Sequence, residues 1–240
     1  MKTQKSKRSS EVPPDLELLM EVVRPHFLVK GPEEIDNRAA KFGSTYPSEW
    51  SKIQSCIAAL LQLDSAFEDC FIAKKLVGKV RTSQLGPKPS SYLRFCWLGF
   101  LQSIYIYCEK LKLVSDAFVA QENRKSKDSN SIDFVSKIKI ADKLFKNLKK
   151  LRGGTVHNWH VEHKHINFVA MLELLHDGPH DPTLPIGFYN LEGHLVDVKR
   201  DIKTELSEWE KKLQDFHVPL RVEASGILVE QVKKFNSKYQ

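Results

Sequence analysis

From Leu93 to Ile106 the chain reads Leu-Arg-Phe-Cys-Trp-Leu-Gly-Phe-Leu-Gln-Ser-Ile-Tyr-Ile, which is apolar on nearly every side of a helix. A surface helix shows one apolar stripe, whereas a helix that is apolar all round belongs in the middle of a bundle. The segment opens after the punctuator Gly86-Pro87-Lys88-Pro89, with Ser90 or Ser91 as N-cap, and is expected to run to about Leu113. Its presence predicts that the other elements are amphipathic helices wrapped around it.

The rest of the chain supplies them. Ile53, Ile57, Leu60, Leu61, Phe67, Phe71 and Ile72 keep three-and-four spacing after Ser48, a good cap, and Gly78 marks the end of that helix. Phe134, Ile138, Ala141, Leu144, Phe145 and Leu148 give a third helix over 133–151, after a polar loop at 121–131. A fourth is expected from Thr155 to about His176, and a fifth from Leu195 to Phe216 with Leu195, Val198, Ile202, Leu206, Trp209 and Leu213 inward. Between them, the spacing around Asn190 and Gly193 allows a small hairpin at 186–194. The organisation expected is a basic, disordered tail over 1–14, a short helix (Asp15 to Arg24) and loop over 15–47, an all-α antiparallel bundle over 48–216, and a C-terminal extension over 217–240 with a short helix at 225–235.

Composition narrows the class. Hydrophobic residues at 41% and charged residues at 28% suit a globular domain, and no run reaches the ~18 apolar residues of a membrane span. The four cysteines lack paired spacing and lie in apolar helices, so reduced thiols and a cytoplasmic setting are expected. The net charge of +7 fits a phosphate-bearing partner, and equally a plain solubility role.

The chemistry-bearing stretch is Lys149-Lys150-Leu151-Arg152-Gly153-Gly154-Thr155-Val156-His157-Asn158-Trp159-His160. Adjacent glycines in a helical region cost about 1 kcal/mol each relative to Ala, which predicts a break between two helices that lets Arg152 fold back over the next one. An Arg guanidinium grips two phosphate oxygens in a fork, and an imidazole takes or gives a proton near neutral pH. Arg152 and His157 are therefore the candidate catalytic pair, with Asn158 and His160 beside them and Lys149 and Lys150 steering RNA. The plainer alternative is that Arg152 and His157 cap and pack a helix junction, and that the lysines serve the negative end of a helix dipole.

The Arg-Gly-Gly-Thr-Val-His spacing at 152–157 resembles the HEPN superfamily, the helical-bundle domains of prokaryotic toxins, abortive-infection proteins and CRISPR-associated ribonucleases, whose motif is an Arg, four to six residues, then a His. The resemblance covers 48–216 in architecture and Arg152 and His157 in motif. It implies a metal-independent endoribonuclease without cofactor, acting on single-stranded RNA as a homodimer with two Arg-His pairs across one cleft, in a defence or toxin setting with an antitoxin or regulatory protein. Two positions depart from it: Gly153 replaces the polar residue that many active members carry after the Arg, and Trp159 stands where some members carry a modifiable Tyr. A second reading is a non-catalytic helical module that binds a nucleotide, RNA or a protein. A third is a metal-dependent hydrolase built on the histidines.

Four of nine histidines fall within 157–165. On a helix His157, His160, His163 and His165 would span about 200°, too wide for one mononuclear site, so no metal is assigned. For His163, Lys164 and His165 the favoured expectation is a polar exposed face. No Gly-rich phosphate loop, nucleophile elbow or dinucleotide fingerprint is present.

Overall fold

The computed structural model describes residues 48–81, 88–121, 129–158, 163–179, 183, 185, 187 and 190–239. The expected tail over 1–14 and the short helix and loop over 15–47 lie outside the described residues. Seven helices, and no strand, occur among those described: α1 Ser48–Asp69, α2 Ile72–Val77, α3 Pro89–Gln121, α4 Ser129–Leu144, α5 Lys146–Asn158, α6 Lys164–Asp177 and α7 Leu191–Tyr239. The protein is an all-α bundle.

α3 is its axis. Pro89 opens it at a position where a missing N–H costs nothing. Leu93, Trp97, Phe100, Ile104, Tyr107, Leu111, Val114 and Phe118 are all buried along its length. It packs against α1, α2, α4, α5 and α6, while α7 closes the far side against α1, α2, α4 and α6. The expectation of burial all round is too strong in one respect: Phe95 is 66% exposed and Ile106 39%, so one strip of α3 faces outward.

Polar contacts set the register along α3. A carboxylate from α6, Glu173, receives the Ser90 N–H at 2.7 Å and the Ser90 hydroxyl at 2.5 Å, satisfying donors that the first turn of α3 cannot pair internally. Lys88 and Asp177 pair beside it at 2.6 Å. Farther along, the Trp97 ring meets His163 with centroids 4.4 Å apart. Gln102 and Tyr105 then meet Arg152 of α5. Residue numbers on α3 rise as those on α6 and then α5 fall, so the two shorter helices run antiparallel to α3, one after the other.

Several boundaries differ from the sequence expectation, each for a local reason. The first helix breaks at Cys70–Phe71, where both amides bond three residues back instead of four. The expected helix over 133–151 is two helices jointed at Phe145, whose ring is fully buried against Tyr107 and Phe216. The expected break at Gly153-Gly154 is absent: α5 continues through both glycines to Asn158. Thr155 therefore does not cap the following helix. That helix starts at Lys164, with His163 extended at the N-cap position (φ −131°, ψ 111°).

The expected hairpin is also overturned. Asn190 is an N-cap, accepting the Gly193 N–H on its side-chain oxygen at 3.0 Å, and Leu191 to His194 are the first turn of α7. α7 then runs 49 residues through Pro219, joining the two helices expected at 195–216 and 225–235. An internal proline costs about 3 kcal/mol through a lost hydrogen bond and a clash. Burial of Leu213, Leu220, Leu228, Val232 and Phe235 on both sides of it offsets that cost. Just before it, His217 is held by three other groups: Tyr107 Oη 3.3 Å from Nδ1, Asp64 3.1 Å from Nε2, and Phe67 stacked at 3.9 Å. Arg221 completes the set, 3.1 Å from the other Asp64 oxygen.

All four cysteines are buried and none forms a disulfide. Burial pushes the Cys56 thiol up to about 12 and the Cys96 thiol up to about 11, so these are packing residues and poor nucleophiles. No helix among the described residues is long and apolar enough to cross a membrane.

A methyl group at Gly153 would meet nothing within 4 Å. Gly153→Ala should therefore raise the stability of the protein by about 0.5–1 kcal/mol. The check is a urea midpoint beside wild type; an unchanged or lowered midpoint would mean that the position is used as a hinge.

Candidate functional site

The joint at Phe145 turns the chain so that α4 and α5 present lysines to one groove against α3. The groove has a volume of about 540 Å³ and is lined by Lys139 and Lys143 of α4, Lys146 and Lys149 of α5, and Lys112, Ser115 and Asp116 of α3. Cys108, Leu111 and Ile138 form its apolar floor. Among the described lining residues, five lysines thus face one aspartate. Lys112 is partly answered by Glu109 at 2.8 Å. Lys139, Lys143 and Lys146 are exposed and have no carboxylate partner among the described residues. The neighbouring Lys137 points elsewhere and is held by both oxygens of Glu223 at 2.9 Å.

Arg152 stands one turn beyond Lys149. It is half-buried, its Nε donates to the Gln102 side-chain oxygen at 3.2 Å, and its guanidinium carbon lies 4.1 Å from the centre of the Tyr105 ring. Its terminal nitrogens make no hydrogen bond among the described residues. Position 157 comes later on the same helix, about 140° round the axis and about 7.5 Å farther toward the start of α3. The side chains of His157 and Asn158, and the whole of Trp159 and His160, lie outside the described residues. Of the expected site, the structure brings Lys149 into the groove with Arg152 at its end. Lys150, exposed on the same helix, is not part of the lining.

Sequence reasoning missed Lys112, Lys139 and Lys143. The signal was available for two of them: Lys139, Lys143, Lys146 and Lys149 recur at intervals of four, three and three, which is one face of a helix. Lys112 could not be found this way, because only the packing of α5 on α3 brings it across.

The histidine-rich stretch has a different fate from the one expected. His163 is not on an exposed face. It is 5% exposed, edge-on to Trp97, with Nε2 3.2 Å from Glu205 of α7 in a charge contact that falls short of an aligned hydrogen bond. His165 lies 3.6 Å from Asp201 of the same helix, and the two imidazoles are 5.5 Å apart. These pairs tie the start of α6 to α7. Among the described residues no group of three or more His, Cys, Asp or Glu stands close enough to hold a metal.

Contact with the His163 ring holds the Glu205 carboxyl below its usual range, against a smaller opposing effect of burial. Burial and the adjacent His163 lower His165 from its ordinary value of 6.5, more than Asp201 raises it. Both groups bind protons more weakly in the folded state, so both contribute stability at neutral pH that is lost on acidification. The His165 share is lost first, as pH falls below 6.5, and the Glu205 share below 4.5. Thermal melts between pH 8 and about pH 2.5 should show Tm falling in two stages, and His165→Gln should flatten the upper one. An upper stage identical in that variant would assign it to another group.

No protein-family model, curated protein or solved structure matches the chain. What the site can do is set by its own geometry: a lysine groove with an apolar floor, ending in an arginine stacked on a tyrosine.

Proposed function

We propose that the protein binds the phosphate backbone of RNA in the groove between α3 and the α4–α5 joint. The observation that carries this is the gathering of five lysines around one concave surface, against one aspartate among the described lining residues. Like charges so gathered repel one another, and a polyanion relieves the repulsion while releasing its own counterions. Lysine is a flexible point charge, so a lysine groove reads charge and spacing and not base identity. The groove runs along helices for several turns, which matches a chain of phosphates better than a single small anion.

A second reading, favoured by the unpaired terminal nitrogens of Arg152, adds cleavage. In it the protein is an HEPN-like ribonuclease. His157 takes the proton of a ribose 2′-OH, the oxygen attacks the adjacent phosphorus as the P–O5′ bond breaks, and the 5′-oxygen takes a proton from water as it leaves, giving a 2′,3′-cyclic phosphate and a 5′-OH. Arg152 neutralises the charge gathering on the phosphoryl oxygens, with Asn158 and His160 beside the pair. The homodimer implied by the resemblance belongs to this reading, since two copies would set two such pairs across one RNA.

Binding of a labelled single-stranded RNA, measured by fluorescence anisotropy over a salt series, tests the first reading. If the five lysines all meet phosphates, the log–log salt slope should be about −3.5. Lys143→Gln with Lys146→Gln should reduce its magnitude by about 1.4, whereas Lys150→Gln should change it little. Unaltered affinity and slope in the double variant would rule the groove out. For the second reading, RNA is incubated in EDTA with wild type and His157→Ala: cyclic phosphate ends formed by wild type alone support cleavage, and intact RNA with both leaves a binding protein.

A further inference from the structure

Recognition of phosphates alone has no need of the arrangement at the end of the groove. A lysine would serve there, as lysines serve elsewhere along it. Instead the chain places a planar cation and anchors it at two points: the guanidinium carbon of Arg152 lies over the Tyr105 ring, 4.1 Å from its centre, and Nε donates to the Gln102 side-chain oxygen at 3.2 Å. Such a stack costs Arg152 its rotamer freedom, and Arg–aromatic contact is worth only about 0.5–1 kcal/mol at an exposed site.

The placement relative to the groove is specific. On α3, Tyr105 is three residues from Cys108 in the groove floor, and on α5, Arg152 is three residues from Lys149 in the wall. Each is about 4.5 Å, one turn, beyond the lined volume, and both lie at the same end because the helices are antiparallel. The guanidinium carbon sits over the face of the Tyr105 ring. The residue keeps part of its surface exposed, and its terminal nitrogens are unclaimed among the described residues. A flat cation with one face backed by an aromatic ring is a surface on which a nucleobase stacks, and alternation of backbone-tracking charge with stacking planes is how single strands are held without sequence preference.

We propose that Arg152, backed by Tyr105 and oriented by Gln102, is a nucleobase platform that makes the lysine groove select single-stranded RNA over a bare polyanion. The proposal rests on the groove reading above and adds the ligand class. A duplex keeps its base faces inside its own stack and offers none to Arg152. Tyr105 acts here as a positioning residue: it sets the plane that the base meets.

The test compares a short oligouridylate with an abasic oligonucleotide of the same length and charge. Wild type should bind the oligouridylate more tightly. Arg152→Lys, which keeps the charge and removes the plane, should weaken oligouridylate binding about tenfold and leave the abasic strand within about twofold. Tyr105→Leu should do the same, and Tyr105→Phe should behave as wild type. Equal loss for both ligands in Arg152→Lys would make Arg152 a phosphate contact and overturn the platform. So would equal wild-type affinity for the two strands when both depend on Lys143 and Lys146, and in that case the groove reading survives alone. Failure of wild type to bind either strand at low salt would remove both. Circular dichroism and melting temperature check that each variant is folded, and Arg152→Lys, at a partly exposed position, carries the test if Tyr105→Leu is not.

Discussion

The burial of α3 governs the structure. A helix of 33 residues with apolar side chains on most faces must be covered along about 50 Å of length, and no single partner can cover it. α1 takes one side, and the short helices are laid along the others in series. Their order is dictated by the antiparallel connection: α4 starts at the far end of α3, where Phe134 meets Phe118, and α4, α5 and then α6 travel back along it. The lysines of α4 and α5 thereby meet the C-terminal half of α3, and the histidines of α6 meet the N-terminal half. Where each chemical feature sits is a consequence of how the central helix is wrapped.

Two kinds of polar group result, and they differ in what they are free to do. Glu173, His163, Glu205, Asp64 and His217 are engaged between helices, each with a named partner at 2.5–3.3 Å. Removing one partner of such a set leaves the other desolvated, which is why they hold the bundle together and are poorly suited to turnover. Lys139, Lys143 and Lys146 stand in the opposite condition, exposed and gathered with no carboxylate partner among the described residues. That contrast is why the functional surface is proposed at the α4–α5 joint and not in the histidine cluster that dominates the sequence to the eye.

Much of the architecture was legible in the sequence. The all-helical class, the centrality of the Leu93–Ile106 segment and the buried cysteines outside any disulfide come from periodicity and composition. The misread boundaries share a cause, which is that local signals were outweighed by packing. Gly153 and Gly154 lie in a helix because their neighbours Leu148 and Arg152 are anchored on α3. Pro219 lies in a helix because apolar residues on both sides of it are buried. Asn190 and Gly193 suit a hairpin turn and a helix N-cap equally well, and only the packing of Leu195, Val198 and Ile202 in the core decides for the cap. The site was half legible: Arg152 and Lys149 stood out, whereas Lys112 and Tyr105 enter only through contacts between helices distant in the chain.

The far end of α7 has a consequence for how the molecule is made. Phe235 packs on Trp50 with ring centres 5.3 Å apart, and Lys238 pairs with Glu49 across 189 positions of sequence at 2.7 Å. A ribosome delivers α1 well before this end of α7, so the indole of Trp50 waits for part of its cover until the chain has been made as far as Phe235. Contacts of such separation are slow to form, and an apolar surface left open meanwhile invites other chains. The core therefore closes only once the chain has been made through α7, and a nascent chain arrested before the end of α7 would present that surface to whatever chaperone or neighbour stands nearest.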